Sequence, residues 1–198
     1  MSNVVEMSRL PVTTPIPIHH SLRLLSRALA VLFTIFAALQ ILWMLAACIG
    51  TLFFSNHMLE GSAGAAIYAG KPPVVPGMVL YSSLSAVTRG VGVIATAVAA
   101  APFLMVFWEL RGLFWLYARG IVFARENAVR LKRVGLWLIS YPFAKVAVHM
   151  LFRLAGGLDK VWFHMEMVYA LVAGLIVLAI AQVMEFGREI ELDRSEII

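Results

Sequence analysis

Residues 120–135 read GIVFARENAVRLKRVG and lie between two long apolar stretches of the chain. Five of these sixteen residues are charged, and four of the five are basic: Arg125, Arg130, Lys132 and Arg133. A positive segment between apolar stretches is typical of a loop that stays on the cytoplasmic side of a membrane protein. Such a segment also offers a binding surface for anionic lipid headgroups or for a partner protein.

The composition excludes a soluble globular domain. Of the 198 residues, 62% are hydrophobic and 14% are charged, whereas soluble domains have about 45–50% and about 25%. Several uncharged runs approach or exceed the roughly 20 residues that cross a bilayer as a helix. The single cysteine, Cys48, excludes an intramolecular disulfide and a multi-cysteine metal site. We therefore expect an all-α, polytopic membrane protein.

The apolar runs predict a bundle of four transmembrane helices. The spans are expected at about 28–54, 87–108, 134–152 and 167–186. They form one domain over residues 27–198, preceded by a flexible cytosolic segment over residues 1–26. Residues 61–77, GSAGAAIYAGKPPVVPG, lie between the first two spans, where glycine and proline are expected to break regular structure.

The distribution of lysine and arginine predicts the orientation. Eleven basic residues flank the spans on one side: Arg9, Arg23, Arg27, Arg111, Arg119, Arg125, Arg130, Lys132, Arg133, Arg188 and Arg194. Four flank them on the other side: Lys71, Arg89, Arg153 and Lys160. Because the side richer in positive charge faces the cytoplasm, both termini are expected to be cytoplasmic.

Residues 109–133, called the central segment below, are expected to contain helix. The second helix should continue past the membrane, with aromatic residues near the headgroups, and should end near Gly120. A new helix should begin near Ala124. Four basic side chains would then contact headgroups or a partner: Arg125, Arg130, Lys132 and Arg133.

The same stretch resembles a bacterial membrane family called domain of unknown function 2975. The residues that carry its motif here are Gly120, Phe123, Asn127, Leu131, Lys132 and Gly135. Near the C-terminus, Gly187 and Ile190 fit the family's ending, and Met184 stands nearest its phenylalanine. Ala124 replaces the usual threonine or serine, which removes a helix N-cap worth about 1 kcal/mol.

The resemblance implies four spans and no established enzymatic activity. Family members are often encoded beside a small helix-turn-helix regulator, so the resemblance implies a regulatory setting with a soluble transcriptional regulator as partner. Direct binding of nucleic acid is not expected, because the basic cluster is short, abuts the membrane and lacks a recognition fold.

The third span carries polar residues at intervals of four: Tyr141, Lys145, His149 and Arg153. On a helix they lie along one side. A charge inside a span costs about 2.5–3.5 kcal/mol on insertion scales and should face other helices. Candidate partners for Lys145 are Glu166, which should be best placed for His149 or Arg153, and Gln40 in the first span. The residues form either a proton or ion site in which Lys145 and His149 titrate, or interhelical packing contacts.

Small residues recur at intervals of four in two other spans. They are Gly92, Thr96 and Ala100 in the second span, and Ala170 and Gly174 in the fourth. Such spacing lets helices approach closely. The contacts lie either within the bundle or in a homo-oligomer.

The functional expectation rests on what the chain lacks and on its charge. It has no hydrolase, transferase, phosphate-loop or metalloprotease motif, and no cofactor or metal site is expected. The tail, residues 187–198, is acidic and either stays solvated or folds onto the central segment. We expect a non-enzymatic inner-membrane regulatory or scaffold protein that binds its partner through the central segment and tail. The alternative is a small transporter or channel that uses Lys145 and His149.

Overall fold

The computed structural model describes residues 20–61, 64–67, 78–122, 124–156 and 163–196. Within these residues the chain forms four α-helices: α1 (His20–Phe53), α2 (Ala86–Ala118), α3 (Arg125–Leu154) and α4 (Met165–Glu196). Each contains a stretch long and apolar enough to cross a membrane. The predicted all-α, multi-pass membrane architecture is therefore confirmed. The orientation of the bundle stays a prediction.

Consecutive helices pack antiparallel. Between α1 and α2, the ring of Phe33 stacks on Phe114 with 5.6 Å between centroids. Between α2 and α3, Glu109 in the second half of α2 lies 3.0 Å from Arg130 near the start of α3. Early residues of one helix thus contact late residues of its neighbour, as expected for an up-and-down bundle.

This order defines two ends of the bundle. The Gly120 end comprises the first turns of α1 and α3, the last turns of α2 and α4, and the connection at residues 119–124. The sheet end is opposite and comprises the connection between α1 and α2 and the end of α3. Most of the bundle's outer face between the two ends is apolar, and Trp43, Phe143 and Leu175 are among its exposed side chains.

A small antiparallel sheet forms at the sheet end. Its strands within the described residues are β1 (Met58–Gly61), β2 (Gly64–Ile67) and β3 (Val79–Leu80), in the order β2-β1-β3. The expectation of no regular structure over residues 61–77 is wrong for 64–67, which pair one for one with 58–61. Backbone hydrogen bonds between nearby segments do not require strongly β-favouring side chains. Residues 62–63 and 68–77 lie outside the described residues.

The helices are longer than the predicted spans. Helix α1 already includes residues 20–26, which we expected in a flexible segment, and residues 1–19 lie outside the described residues. Helix α4 continues through residues 187–196, so this part of the predicted tail is helical. Folding of the tail onto the central segment stays a prediction.

Glycine allows the closest helix contacts. A Cβ atom on Gly135 would lie 2.9 Å from the carbonyl oxygen of Gly174, and a Cβ atom on Gly174 would lie 2.8 Å from that of Gly135. At Gly92, the Tyr81 side chain occupies the space that a Cβ atom would need. The small residues Gly92, Ala170 and Gly174 are buried in the bundle, as packing within the bundle requires. Thr96 and Ala100 are partly exposed, and a contact in a homo-oligomer stays a prediction.

Candidate functional site

A buried carboxylate links α2 to the start of α3. Glu109 is 5% exposed, and its Oε2 atom accepts a hydrogen bond from Nη1 of Arg130 at 3.0 Å. Its Oε1 atom lies 3.4 Å from Nη1 of Arg133. Burial of a carboxylate is tolerated only when it is paired, so the two arginines account for the position of Glu109. These three residues are called the Glu109 site.

Gly112 makes room for this pairing. A Cβ atom at Gly112 would lie 2.3 Å from Nη1 of Arg130 and 2.7 Å from its Cζ atom. Gly112 lies one turn after Glu109 in α2, so the guanidinium of Arg130 crosses over it to reach the carboxylate. A larger residue at this position would force Arg130 away from Glu109.

The basic residues predicted to bind headgroups or a partner therefore fall into two pairs. Arg130 and Arg133 are engaged by Glu109, and the Arg130 side chain is only 33% exposed. Arg125 and Lys132 are exposed, and neither takes part in an ion pair within the described part of the chain. Arg125 and Lys132 are thus the members of the predicted set with uncompensated charge.

The connection from α2 to α3 has a defined geometry. Gly120 has φ of 86°, and the N–H groups of Ile121 and Gly120 donate to the carbonyls of Leu116 and Tyr117. This is the Schellman pattern that ends a helix at a left-handed glycine. It confirms the predicted helix end at Gly120.

Asn127 secures the other side of the connection. It is fully buried, and its side-chain nitrogen donates to the carbonyls of Ile121 and Val122, both at 2.7 Å. Helix α3 begins at Arg125, and Ala124 supplies no side-chain cap, as the sequence predicted. The Asn127 amide therefore stabilises the connection in place of a capping hydroxyl.

A second carboxylate joins α3 to α4. The Oε1 atom of Glu166 accepts a hydrogen bond from the Tyr141 hydroxyl at 2.6 Å and lies 3.2 Å from Nζ of Lys145. The Lys145 ammonium also lies 5.8 Å from the centre of the Tyr141 ring. Tyr141 is buried against Phe103 of α2 and Met167 of α4. These three polar residues, Tyr141, Lys145 and Glu166, are called the Glu166 site.

Glu166 is a partner of Lys145, as predicted, but we expected it to be best placed for His149 or Arg153. Its contacts are with Lys145 and Tyr141. The reason is the stagger of the helices: α4 begins beside Tyr141 and Lys145, so α3 continues about two more turns toward the sheet end. His149 is buried there, and Arg153 is exposed.

Gln40 lies apart from the Glu166 site. It is partly buried on α1, and among the described residues it makes no hydrogen bond to Tyr141, Lys145 or Glu166. Helix α1 packs against α2, which separates it from the contact between α3 and α4. The sequence could not reveal this, because helix order in a bundle does not follow from the pattern of one span.

At least one of the two charged sites lies within the hydrocarbon core. Arg130 and Lys145 are fifteen positions apart on α3, which is about 22 Å along the helix. The hydrocarbon core of a bilayer is about 30 Å thick, which is more than the distance between the two sites. If α3 crosses this core, the core therefore includes at least one of them. Charges at that depth must be paired or face the bundle interior, and both sites meet this condition.

Sequence reasoning missed the partnership of Glu109. Glu109 was the first residue of the predicted central segment, and we assigned it no contact. A signal was present, because an acidic residue in an otherwise apolar run requires a cation, and the nearest cations in the antiparallel neighbour are Arg130 and Arg133. Gly112, one turn away, was a second signal.

No known protein family, curated protein or solved structure matches the chain. The resemblance to domain of unknown function 2975 therefore stays a prediction. Within the described ranges, no three histidine, cysteine, aspartate or glutamate side chains come together as a metal site.

Proposed function

We propose that this chain is a non-enzymatic regulatory or scaffold protein of a bacterial inner membrane, whose Gly120 end binds a soluble partner such as a small helix-turn-helix regulator. The observation that carries the proposal is the division of the basic residues on α3. Arg130 and Arg133 are occupied by Glu109, whereas Arg125 and Lys132 remain exposed. Exposed, uncompensated charge favours association with a partner surface of opposite charge.

The fixed connection supports the same proposal. Arg125 and Lys132 lie in the first turns of α3, which Asn127 and Gly120 attach firmly to the end of α2. A surface that is already ordered loses less conformational entropy on binding. The basic pair is therefore better suited to specific docking than the same residues in a flexible loop.

Helix α4 adds negative charge at the same end. The contact between Gly135 and Gly174 sets the register of α3 and α4. With that register, residues 186–196 extend about 15 Å beyond the first turn of α3. Glu185 and Glu189 are exposed around the start of this part of α4. A partner would thus bind a surface that carries both positive and negative side chains, and this charge pattern would fix the orientation of the bound partner.

Affinity purification from mild detergent tests the proposal. The comparison uses wild type, an Arg125→Ser/Lys132→Ser variant, and an Arg23→Ser/Arg27→Ser variant that removes the same charge from exposed positions on α1 at the same end. Arg130 and Arg133 are left intact, because their removal would strand the buried Glu109 carboxylate. We expect the soluble partner to be recovered with wild type and the α1 variant and lost with the α3 variant.

Two outcomes would contradict the proposal. One is recovery of the same soluble protein with all three chains, which would mean that Arg125 and Lys132 make no contact. The other is wild type that is isolated without any soluble protein under conditions that preserve the bundle. In either case the basic segment would serve orientation in the membrane alone.

A second candidate function is a small transporter or channel. It is favoured by an open cavity of about 640 Å³ whose lining, which includes Val146, His149 and Arg153, lies on α3 just beyond Lys145. Titratable groups that line a cavity at the level of a membrane span are typical of ion or proton pathways. Lys145, one turn before His149 on α3, would carry the exchangeable charge.

Flux measurements in liposomes test this alternative. Lys145→Met removes the cation of the Glu166 site, and Lys132→Met removes an exposed cation far from the cavity as a matched control. Transport predicts proton or ion flux with wild type and Lys132→Met, and loss of the flux with Lys145→Met. Flux equal to that of protein-free liposomes for all three chains would exclude the alternative.

A further inference from the structure

A cavity of about 370 Å³ lies at the Gly120 end between α2 and the first turns of α3. Its polar lining consists mainly of three guanidinium groups, from Arg111 and Arg119 of α2 and Arg130 of α3. Two tryptophan rings, Trp108 and Trp115, form the adjoining wall. Three arginines from two helices therefore face one space of limited size.

The spacing on α2 produces this arrangement. Arg111, Trp115 and Arg119 follow at intervals of four, so they lie one above another on the same side of the helix. The Arg111 guanidinium lies 5.0 Å from the centre of the Trp108 ring, and that of Arg119 lies 5.9 Å from the centre of the Trp115 ring. Both guanidinium groups are thus positioned by aromatic contacts.

The charge of the lining is positive. Glu126 is its one acidic side chain, and the Glu109 carboxylate is shared between Arg130 and Arg133. Arg111 and Arg119 are exposed and take part in no ion pair within the described ranges. The cavity therefore has an excess of guanidinium over carboxylate that an anion can neutralise.

The chemistry of the lining selects a particular kind of anion. Guanidinium groups match the tetrahedral oxygens of phosphate with paired hydrogen bonds. Tryptophan is favoured at the level of lipid headgroups, and exposed Trp108 and Trp115 place the cavity at that level. A phosphate that enters the cavity would thus be attached to a membrane lipid whose chains lie along the apolar surface of α2.

We propose that the cavity formed by Arg111, Arg119 and Arg130 binds the phosphate of an anionic phospholipid. Arg130 would contact the phosphate from one side while it bonds to Glu109 on the other. Glu126 opposes the phosphate and weakens its binding. The site is independent of the proposed soluble partner, because it uses Arg111 and Arg119 rather than Arg125 and Lys132.

Native mass spectrometry of the full chain in mild detergent tests the proposal. The protein is titrated with phosphatidylglycerol, and separately with phosphatidylcholine, which has the same phosphate but no net charge. We expect the first phosphatidylglycerol molecule to bind more tightly than phosphatidylcholine. Its affinity should fall by about thirtyfold in an Arg111→Gln/Arg119→Gln variant.

Two further variants separate the site from general effects. Arg23→Gln/Arg27→Gln removes the same charge from exposed positions on α1 outside the cavity, and its affinity for phosphatidylglycerol should match that of wild type. Glu126→Gln removes the one acid from the lining, and we expect it to raise the affinity by about fivefold. A gain of affinity cannot result from misfolding, so this variant keeps the test decisive if the arginine variant is unstable.

Three results would overturn the proposal. The first is equal loss of affinity in both double variants, which would mean a diffuse electrostatic effect. The second is no change in the Arg111→Gln/Arg119→Gln variant. The third comes from a titration with inorganic phosphate alone: if free phosphate binds with the same variant pattern and phosphatidylglycerol does not, the site takes a soluble anion.

Discussion

At the scale of single residues, two carboxylates connect neighbouring helices. Glu109 of α2 pairs with Arg130 and Arg133 of α3. Glu166 of α4 contacts Tyr141 and Lys145, which are also in α3. They differ in burial: Glu109 is 5% exposed, whereas the side chain of Glu166 is 53% exposed. Removal of a basic partner should therefore lower the free energy of unfolding more at Glu109 than at Glu166, because water cannot solvate a buried charge that has lost its partner.

A double-mutant cycle tests the pairing of Glu109 with its two arginines. We expect Arg130→Gln to lower the free energy of unfolding by more than Arg133→Gln, since Arg133 is more exposed and lies farther from the carboxylate. The Glu109→Gln/Arg130→Gln variant should regain part of the loss, with a coupling energy of about 1–3 kcal/mol. Thermal and denaturant unfolding in detergent measure these values, and strictly additive effects would contradict the pairing.

At the scale of elements, the joint between α2 and α3 depends on one amide. The side-chain nitrogen of Asn127 donates to two carbonyls of the connection. We expect Asn127→Ala to destabilise the protein by about 1–3 kcal/mol, because the carbonyls of Ile121 and Val122 lose the donor that holds the connection to α3. Asn127→Asp should be no more stable than Asn127→Ala, since an ionised carboxylate cannot donate a hydrogen bond to the two carbonyls. Thermal unfolding measures both, and an aspartate variant as stable as wild type would show that donation is not the role of Asn127.

Contact between α3 and α4 depends on glycine. Gly135→Ala and Gly174→Ala each place a methyl group against a backbone carbonyl, which cannot move aside as a flexible side chain can. We expect both variants to lower the thermal unfolding midpoint. Gly90→Ala is the matched control, since nothing lies within 4 Å of its Cβ position, and alanine favours helix by about 0.5–1 kcal/mol. Destabilisation by Gly90→Ala equal to that of the other two would contradict the packing explanation.

The sequence predicted the elements better than the contacts between them. Apolar length and the glycine at position 120 predicted the helices and the end of α2, because these signals are local in the chain. The partners of Glu109 and Glu166 depend on the stagger between helices, which no single span encodes. The strand at residues 64–67 was missed because its pairing is made by backbone atoms, and Gly64, Ala65 and Ala66 carry little β preference.

At the scale of the whole molecule, the bundle has two chemically different ends. The Gly120 end carries the exposed bases of α1 and α3, the three arginines of the cavity between α2 and α3, and the acidic turns of α4. Among the described residues, the sheet end carries two arginines, Arg89 and Arg153. The proposed binding of a soluble regulator therefore depends on the Gly120 end facing the cytoplasm, which the excess of lysine and arginine predicts.

Cysteine labelling tests that orientation most directly. In a Cys48→Ser background, single cysteines replace Ser83 at the sheet end and Gly187 at the Gly120 end, both exposed and both uncharged. Spheroplasts are treated with a membrane-impermeant maleimide before and after lysis. We predict that the cysteine at 83 is labelled in intact spheroplasts and the cysteine at 187 only after lysis. The reverse pattern would place the Gly120 end outside the cell, and labelling of both before lysis would contradict the four-span bundle itself.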